Sequence, residues 1–427
     1  MTRRLSQLWI QPSPRLLLIL ILLATTVFTG MATGFSLFYR LAYILTIVTV
    51  ISYVWVQFML RKINVTVVGR PQQIRVGDEV RETITLTNKG ILPRYGLEVS
   101  DLTNLPDHSG GVAVSVLGRN SVTWQLKVRP RARGLYHLGP LNIGSTDLFN
   151  LMHRKTTIGE SENLIVYPRV IDLPNFDLPS AHLYGDSSAR RKAHNVTPHA
   201  SSVREYHAGD SISRIHWNST ARVGKLMSKE LDLGKATEIW LAVDLQKNVQ
   251  AGEVGDSTDE YLATIAASLA KRYLGFDLPV GLVASGNDRY FLSSETGAGQ
   301  LDRIMQYLAL AKADGITPLE VVLSDYEPLW AHNTSLIVLT PSPRTEWVLG
   351  LSELMRKGVN VTVIRADQQS FGGLTGSELV DDEMASHGIT SFHISMGDDI
   401  ASELRHTPTV PNRSSTTKYK SGVGSIQ

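Results

Sequence analysis

Residues 202–231, SVREYHAGDSISRIHWNSTARVGKLMSKEL, hold the densest set of chemically capable side chains in the sequence. Arg204, Glu205, Asp210, Arg214, Arg222, Lys225, Lys229 and Glu230 gather there around Tyr206 and Trp217. Arginine forks pair bidentately with carboxylates and stack on aromatic rings. The spacing therefore predicts a structural charge network of Asp210 with Arg204, Arg214 and Arg222, anchored by a buried Trp217. His207 and His216 stand beside acids and have the residue types of an acid/base pair. Histidines in a charged loop serve more often as structural donors, and that role is expected here.

Other chemistries are excluded by what is missing. The chain has no cysteine, which removes thiol nucleophiles, disulfides and cysteine metal sites, and suits a reducing compartment. There is no HExxH, no GxSxG and no phosphate loop, since Gly224-Lys225 lacks both the upstream glycine and the following Ser or Thr. No residue is assigned a catalytic role, and no cofactor is expected.

The elements that must position the motif follow from hydropathy and charge. Eight bases precede Asp78, the first acid of the 427-residue chain, leaving 34 bases against 40 acids after it. That balance, about −6, argues against an extended nucleic-acid surface. Two uncharged runs, residues 16–39 and 41–60, are each long enough to cross ~30 Å of hydrocarbon as a helix. Arg3, Arg4 and Arg15 precede the first and Arg61 with Lys62 follow the second, while Arg40 falls in the expected turn. The positive-inside rule then puts both ends in the cytoplasm and makes this a multi-pass cell-membrane protein. A cleaved signal peptide over residues 1–33 is the competing reading, but the second span and its basic flank oppose it. Gly30 and Gly34 have GxxxG spacing, and their place at the span end favours loop roles.

Beyond the anchor, residues 63–168 alternate short β-branched runs with turns, the pattern of a β-sandwich. Ile84 and Leu86 should face inward while Thr83, Thr85 and Thr87 face out. Residues 169–235 form a proline- and serine-rich linker followed by the motif, and residues 236–405 alternate strands with helices as an α/β domain. Residues 406–427 read as a disordered tail. The expected fold is thus a membrane-anchored, multidomain α+β chain: residues 1–62 as a transmembrane hairpin, then the sandwich, then the α/β domain.

Arg204-Glu205-Tyr206, Gly209-Asp210, Arg214-Ile215, Trp217 and Ala221-Arg222 resemble the signature of the bacterial family catalogued as domain of unknown function fifty-eight. Upstream, Arg133-Gly134-Leu135-Tyr136, Leu138-Gly139-Pro140-Leu141 and Asp147-Leu148-Phe149-Asn150-Leu151 look like its second signature, usually Asp-Pro-Phe-Gly-Leu at the end. Leu148 and Asn150 depart from that form, which loosens a turn. The resemblance implies a von Willebrand factor A-like α/β domain and association with MoxR-type AAA ATPases in protein assembly or maturation.

In such domains a metal sits on an Asp-x-Ser-x-Ser loop, a threonine and a further aspartate. The resemblance places Asp244 at the first position and Thr317 at the threonine, but Gln246 and Asn248 replace the hydroxyls and Pro341 the last aspartate. One carboxylate is too little for a hard divalent cation, so a degenerate pocket without metal is expected. Two functions stay open. One is a non-enzymatic membrane scaffold or assembly factor, whose partners are the lipid bilayer, other proteins and an AAA ATPase. The other is a cytoplasmic-face hydrolase, or a metal-dependent binding module, using Asp210, His216 or Asp244.

Overall fold

The computed structural model describes residues 10–106, 111–173, 176, 202–206, 215–230, 238–286, 289–330 and 334–405. The tail expected over 406–427 and the motif residues 207–214 lie outside that set. The chain divides into two compact units, residues 1–166 and 167–427.

In the first unit, β1 (Ile10–Pro12) leads into two helices, α1 (Pro14–Thr33) and α2 (Ser36–Met59). Nine further strands follow in order: β2 (Ile63–Val68), β3 (Gln73–Arg75), β4 (Val80–Asn88), β5 (Arg94–Asp101), β6 (Val112–Val116), β7 (Ser121–Val128), β8 (Gly134–Leu138), β9 (Leu141–Thr146) and β10 (Met152–Ile158). A last strand, β11 (Glu162–Tyr167), closes the series.

Both helices are long and apolar enough to cross a membrane, and most of their apolar side chains are exposed rather than packed into a core. The turn between them, expected around Gly34 to Arg40, is confined to Gly34 and Phe35. Gly34 ends α1 in the left-handed region at φ 69°, donating its N–H to the Gly30 carbonyl at 2.9 Å, as C-terminal cap glycines commonly do. Arg40 consequently lies inside α2. Gly30 is a packing residue instead of a loop glycine, because a Cβ there would stand 3.3 Å from Phe38 Cβ on α2.

Short β1 was not expected from the sequence. It pairs antiparallel with β10, Pro12 opposite Met152, and α1 starts two residues later. Since α2 runs into β2, both ends of the helical hairpin are tied to one body. Three groupings make up that body, in the orders β1-β10-β9-β5-β6, β2-β4-β7 and β3-β11-β8; the first two are antiparallel throughout, and in the third β8 runs antiparallel to β11. Along β4 the alternation is as expected: Ile84 and Leu86 are buried, and Thr85 meets Thr123 across the ladder at 3.0 Å. Leu86, Leu97, Val116 and Ile143 share a core with Met59, so the last turn of α2 packs into the sheets.

The inward row of β4 also carries a charge, Glu82. Arg70 donates from Nε to Glu82 at 3.2 Å and from Nη2 to Asp101 at 2.7 Å, and all three side chains are almost wholly buried. Arg70 further donates to the Leu138 carbonyl, while Gly139 N–H donates to Asp101 at 2.7 Å. Gly139 holds φ +74°, and a Cβ there would press on Arg70 Nη1 at 2.6 Å. The Leu138-Gly139-Pro140-Leu141 signature is thus the wall of a buried ion network. Its companion turn is intact despite the departures noted above. Asp147 accepts from Leu151 N and Met152 N, each at 2.7 Å, and Asn150 takes φ 55°, a conformation asparagine tolerates better than most residues.

In the second unit a short hairpin comes first: β12 (Ser202–Glu205), α3 (Trp217–Val223) and β13 (Met227–Glu230), with β12 antiparallel to β13. The α/β body then runs β14 (Glu238–Asp244), β15 (Gly252–Glu253), β16 (Asp256–Ser257), α4 (Thr258–Gly275), β17 (Val280–Ser285), β18 (Arg289–Glu295), α5 (Ala298–Leu310) and α6 (Leu319–Tyr326). It continues with β19 (Thr334–Thr340), α7 (Glu346–Arg356), β20 (Asn360–Ala366), α8 (Ser377–Ser386), β21 (Thr390–Ile394) and α9 (Ile400–Glu403).

Six strands form one sheet in the order β18-β17-β14-β19-β20-β21, parallel except for the edge strand β18. Alternate residues of β14 face opposite layers. Ile239, Leu241 and Val243 pack with α4 and α5, whereas Trp240 and Ala242 pack with α6 and α7. Val170, Ile171 and Leu173, which the sequence placed in the linker, join the first of these layers, and Ile171 N donates to Ser268 Oγ at 2.9 Å.

Candidate functional site

In an open parallel sheet, ligands gather where the strand order reverses, outside the carboxyl ends of the strands. Here the reversal lies between β14 and β19. Asp244 ends β14 and Thr340 ends β19.

The carboxyl of Asp244 is fully buried. Its Oδ2 accepts from Thr340 Oγ1 at 2.7 Å, and its Oδ1 accepts from Gln246 N at 3.0 Å. Thr340 Oγ1 in turn accepts from Ser342 N at 3.0 Å. Burial pushes the Asp244 carboxyl up to about 6, against the pull of these two hydrogen bonds and with the charge of Glu320 adding to the rise. Gln250 Nε2 donates to the Asp244 carbonyl at 2.9 Å and its Oε1 accepts from Thr258 Oγ1 at 2.7 Å, closing the loop over the strand end.

The Thr317 loop is brought to the same place. Lys247 N donates to the Gly315 carbonyl at 2.8 Å and Gly315 N to the Leu245 carbonyl at 3.1 Å. Thr317 itself is half-buried and makes no hydrogen bond to Asp244 among the described residues. Both oxygens of Asp244 are therefore engaged by the chain's own donors. Among the described residues, no group of three or more His, Asp or Glu side chains converges to hold a metal. Sequence reasoning found Asp244 but missed Thr340, which is 96 positions away. A hydroxyl at the end of a second apolar strand was the available signal.

A second polar cluster, also missed, ties α8 to the sheet. Arg365 and His393 are paired across β20 and β21, and Arg365 Nη2 donates to both Asp381 oxygens at 2.8 and 2.7 Å. Burial lowers the pKa of His393 and raises that of Asp381.

The signature motif is only partly placed. Gly209, Asp210 and Arg214 lie outside the described residues, as does the Arg204 side chain. Glu205 is exposed and pairs with Lys225 at 2.8 Å. Tyr206 N donates to the Leu226 carbonyl at 2.9 Å, extending the hairpin. His216 is the N-cap of α3, its Nδ1 accepting from Ser219 N at 3.3 Å and facing Ser219 Oγ at 2.7 Å. That is a structural use of the ring.

Trp217 contradicts the expectation of a buried anchor: it is 64% exposed. A seven-residue helix has room for no full apolar stripe, and Ile215 takes the inward place instead, 7% exposed. Val223 and Leu226 are exposed beside it in sequence, as is Arg222. Substituting Trp217 by alanine is thus expected to change stability by less than about 0.5 kcal/mol, as at other surface positions. Urea titration of wild type and variant checks this, and a loss of several kcal/mol would restore the anchor role.

The class these features define is an apolar helical hairpin tied to a β body, followed by a doubly wound α/β unit whose strand-end carboxylate is capped from within. Residues 202–337, from β12 into β19, match the family described as Protein of unknown function DUF58. The chain is also 22% identical over 307 residues to the "Uncharacterized protein YeaD" of Bacillus subtilis (strain 168), across 70% of this chain and 74% of the relative. Together these matches support the DUF58 family.

Likeness to solved structures is slight. The solution structure of the CARDB domain of PF1109 from Pyrococcus furiosus is 15% identical at a TM-score of 0.19, covering 25% of this chain and 94% of that domain. The crystal structure of the same domain with di-metal ions is 17% identical at 0.19, covering 26% and 96%. At such scores neither bears on the fold or on metal binding here.

Proposed function

We propose that this chain is a membrane-anchored, non-enzymatic binding protein that works as a scaffold or assembly factor. In this reading α1 and α2 cross the bilayer as a hairpin and the soluble units lie on the cytoplasmic face. Support comes from the exposed apolar surface of both helices, from the attachment of both hairpin ends to one body, and from Arg61 and Lys62 directly after α2. The β body serves as a sandwich-like spacer. The sheet order of the second unit, with its antiparallel edge strand, supports a von Willebrand factor A-like arrangement.

The observation that carries the binding role is the outward Trp217 within the signature motif, with Arg222, Val223 and Leu226 also exposed. Exposed aromatics and arginines of this kind dominate protein interfaces. The partner that the family resemblance favours is a MoxR-type AAA ATPase.

Tagged full-length protein extracted from membranes should retain that ATPase, and Trp217→Ala should lose it at least about tenfold, the usual effect of removing an interface anchor. Equal retention by both proteins would overturn the assignment. A reporter fused after Gln427 should be active only in the cytoplasm, and activity only on the far side would reverse the topology.

A further inference from the structure

The last ten residues of α2 and the turn before β5 enclose an apolar cleft of about 430 Å³, lined by Ile51, Val54, Phe58, Leu92, Pro93 and Tyr95 among others. That size falls in the range of small-molecule sites, ~300–1,000 Å³. Ile51, Val54, Leu92 and Tyr95 are all exposed, so the cleft opens outward along the helix.

Its end at Phe58 is strongly basic. Arg94 is 1% exposed, lies 3.9 Å over the Phe58 ring and donates from Nη2 to the Arg61 carbonyl at 3.2 Å. Its Nε and Nη1 have no partner, and burial disfavours its charge. Arg154, also buried, donates to Gln57 Oε1 and leaves its Nε unpartnered. Arg61 and Lys62 are exposed. Among the described residues none of these four bases enters an ion pair. A buried guanidinium without a carboxylate is costly, and a nearby anion removes much of that cost.

We propose that an anionic glycerophospholipid of the adjoining leaflet occupies this cleft, one acyl chain against Val54 and Tyr95 and its phosphate against Arg61 and Lys62, with Arg94 and Arg154 behind them. This rests on the reading of α2 as a membrane span. Apolar lining and unpaired positive charge meet at one end of a spanning helix, which is how a headgroup and its chain are joined. A neutral lipid would satisfy the lining and leave the charge unanswered. A second copy of the chain would bring the same four bases and repel.

The test uses full-length protein in nanodiscs of phosphatidylcholine with or without phosphatidylglycerol, followed by native mass spectrometry of retained lipid. Wild type should hold one phosphatidylglycerol in preference to phosphatidylcholine by about tenfold or more, given roughly 1 kcal/mol per base near the headgroups. Arg61→Gln with Lys62→Gln should abolish the preference, and Val54→Trp should reduce retention of both lipids. Equal retention of the two lipids by wild type would overturn the inference, as would a preference untouched by the double variant or a lipid-free dimer. An alkaline wash separates the two ideas. Protein released from membranes would overturn the span and the lipid site together, while protein that stays embedded yet shows no lipid preference would overturn the site alone.

Discussion

Arg70→Ala is expected to destabilise the first unit by about 3 to 5 kcal/mol, the usual loss when one partner of a buried ion pair is removed. Arg70 is the ion-pair partner of both Glu82 and Asp101, whose side chains are 1% and 3% exposed. Alanine would remove the guanidinium that bridges these two buried carboxylates, and would release the donor on the Leu138 carbonyl. Lysine in its place would keep the charge but not the fork, and should recover only part of the loss. Hydrogen exchange on full-length protein resolves the effect by position. Protection over β4 and β8 should collapse in Arg70→Ala while β14 and β19 keep theirs. Unchanged protection in β4 would mean that the network contributes little.

The second large effect is the pH dependence of the α/β unit. Asp244 sits at about 6 in the folded chain against an ordinary 3.8, so the folded state binds this proton more tightly than the unfolded one. Stability from this group is fully present below about pH 4 and is lost as pH rises through 6, by roughly 3 kcal/mol in all. His393, lowered by burial, acts in the opposite sense, losing stability as pH falls. The comparison of wild type with Asp244→Asn isolates the aspartate. Pulse proteolysis in urea between pH 4 and 7.5 should show wild type losing stability across that range relative to the variant. Parallel curves would show that Asp244 does not titrate as its burial requires.

How far the chain could be read before its structure was known depended on the range of each interaction. The two helices, the alternation in β4 and the strand-helix alternation over residues 236–405 follow local patterns of charge and hydropathy, and they stand close to where those patterns put them. Three-residue β1 carries no such pattern, since its existence depends on β10, more than a hundred residues later. The Arg70 network joins positions 12 and 31 residues apart, and the Asp244–Thr340 bond spans 96. Neither leaves a mark in any short window. Trp217 misled for a different reason: tryptophan is highly buried on average, yet this one stands exposed at the start of a seven-residue helix.

The strand-end site of the α/β unit is closed by its own donors, Gln246 N and Thr340 Oγ1 on the two oxygens of Asp244, and the binding role proposed above places no metal there. Calorimetric titration of the full-length protein with magnesium and with manganese tests it most directly. The expected result is no binding heat and no shift in melting temperature with either ion, because both Asp244 oxygens are engaged and Pro341 offers no side-chain oxygen. A micromolar affinity that disappears in Asp244→Ala would contradict the claim and make the site a working metal centre.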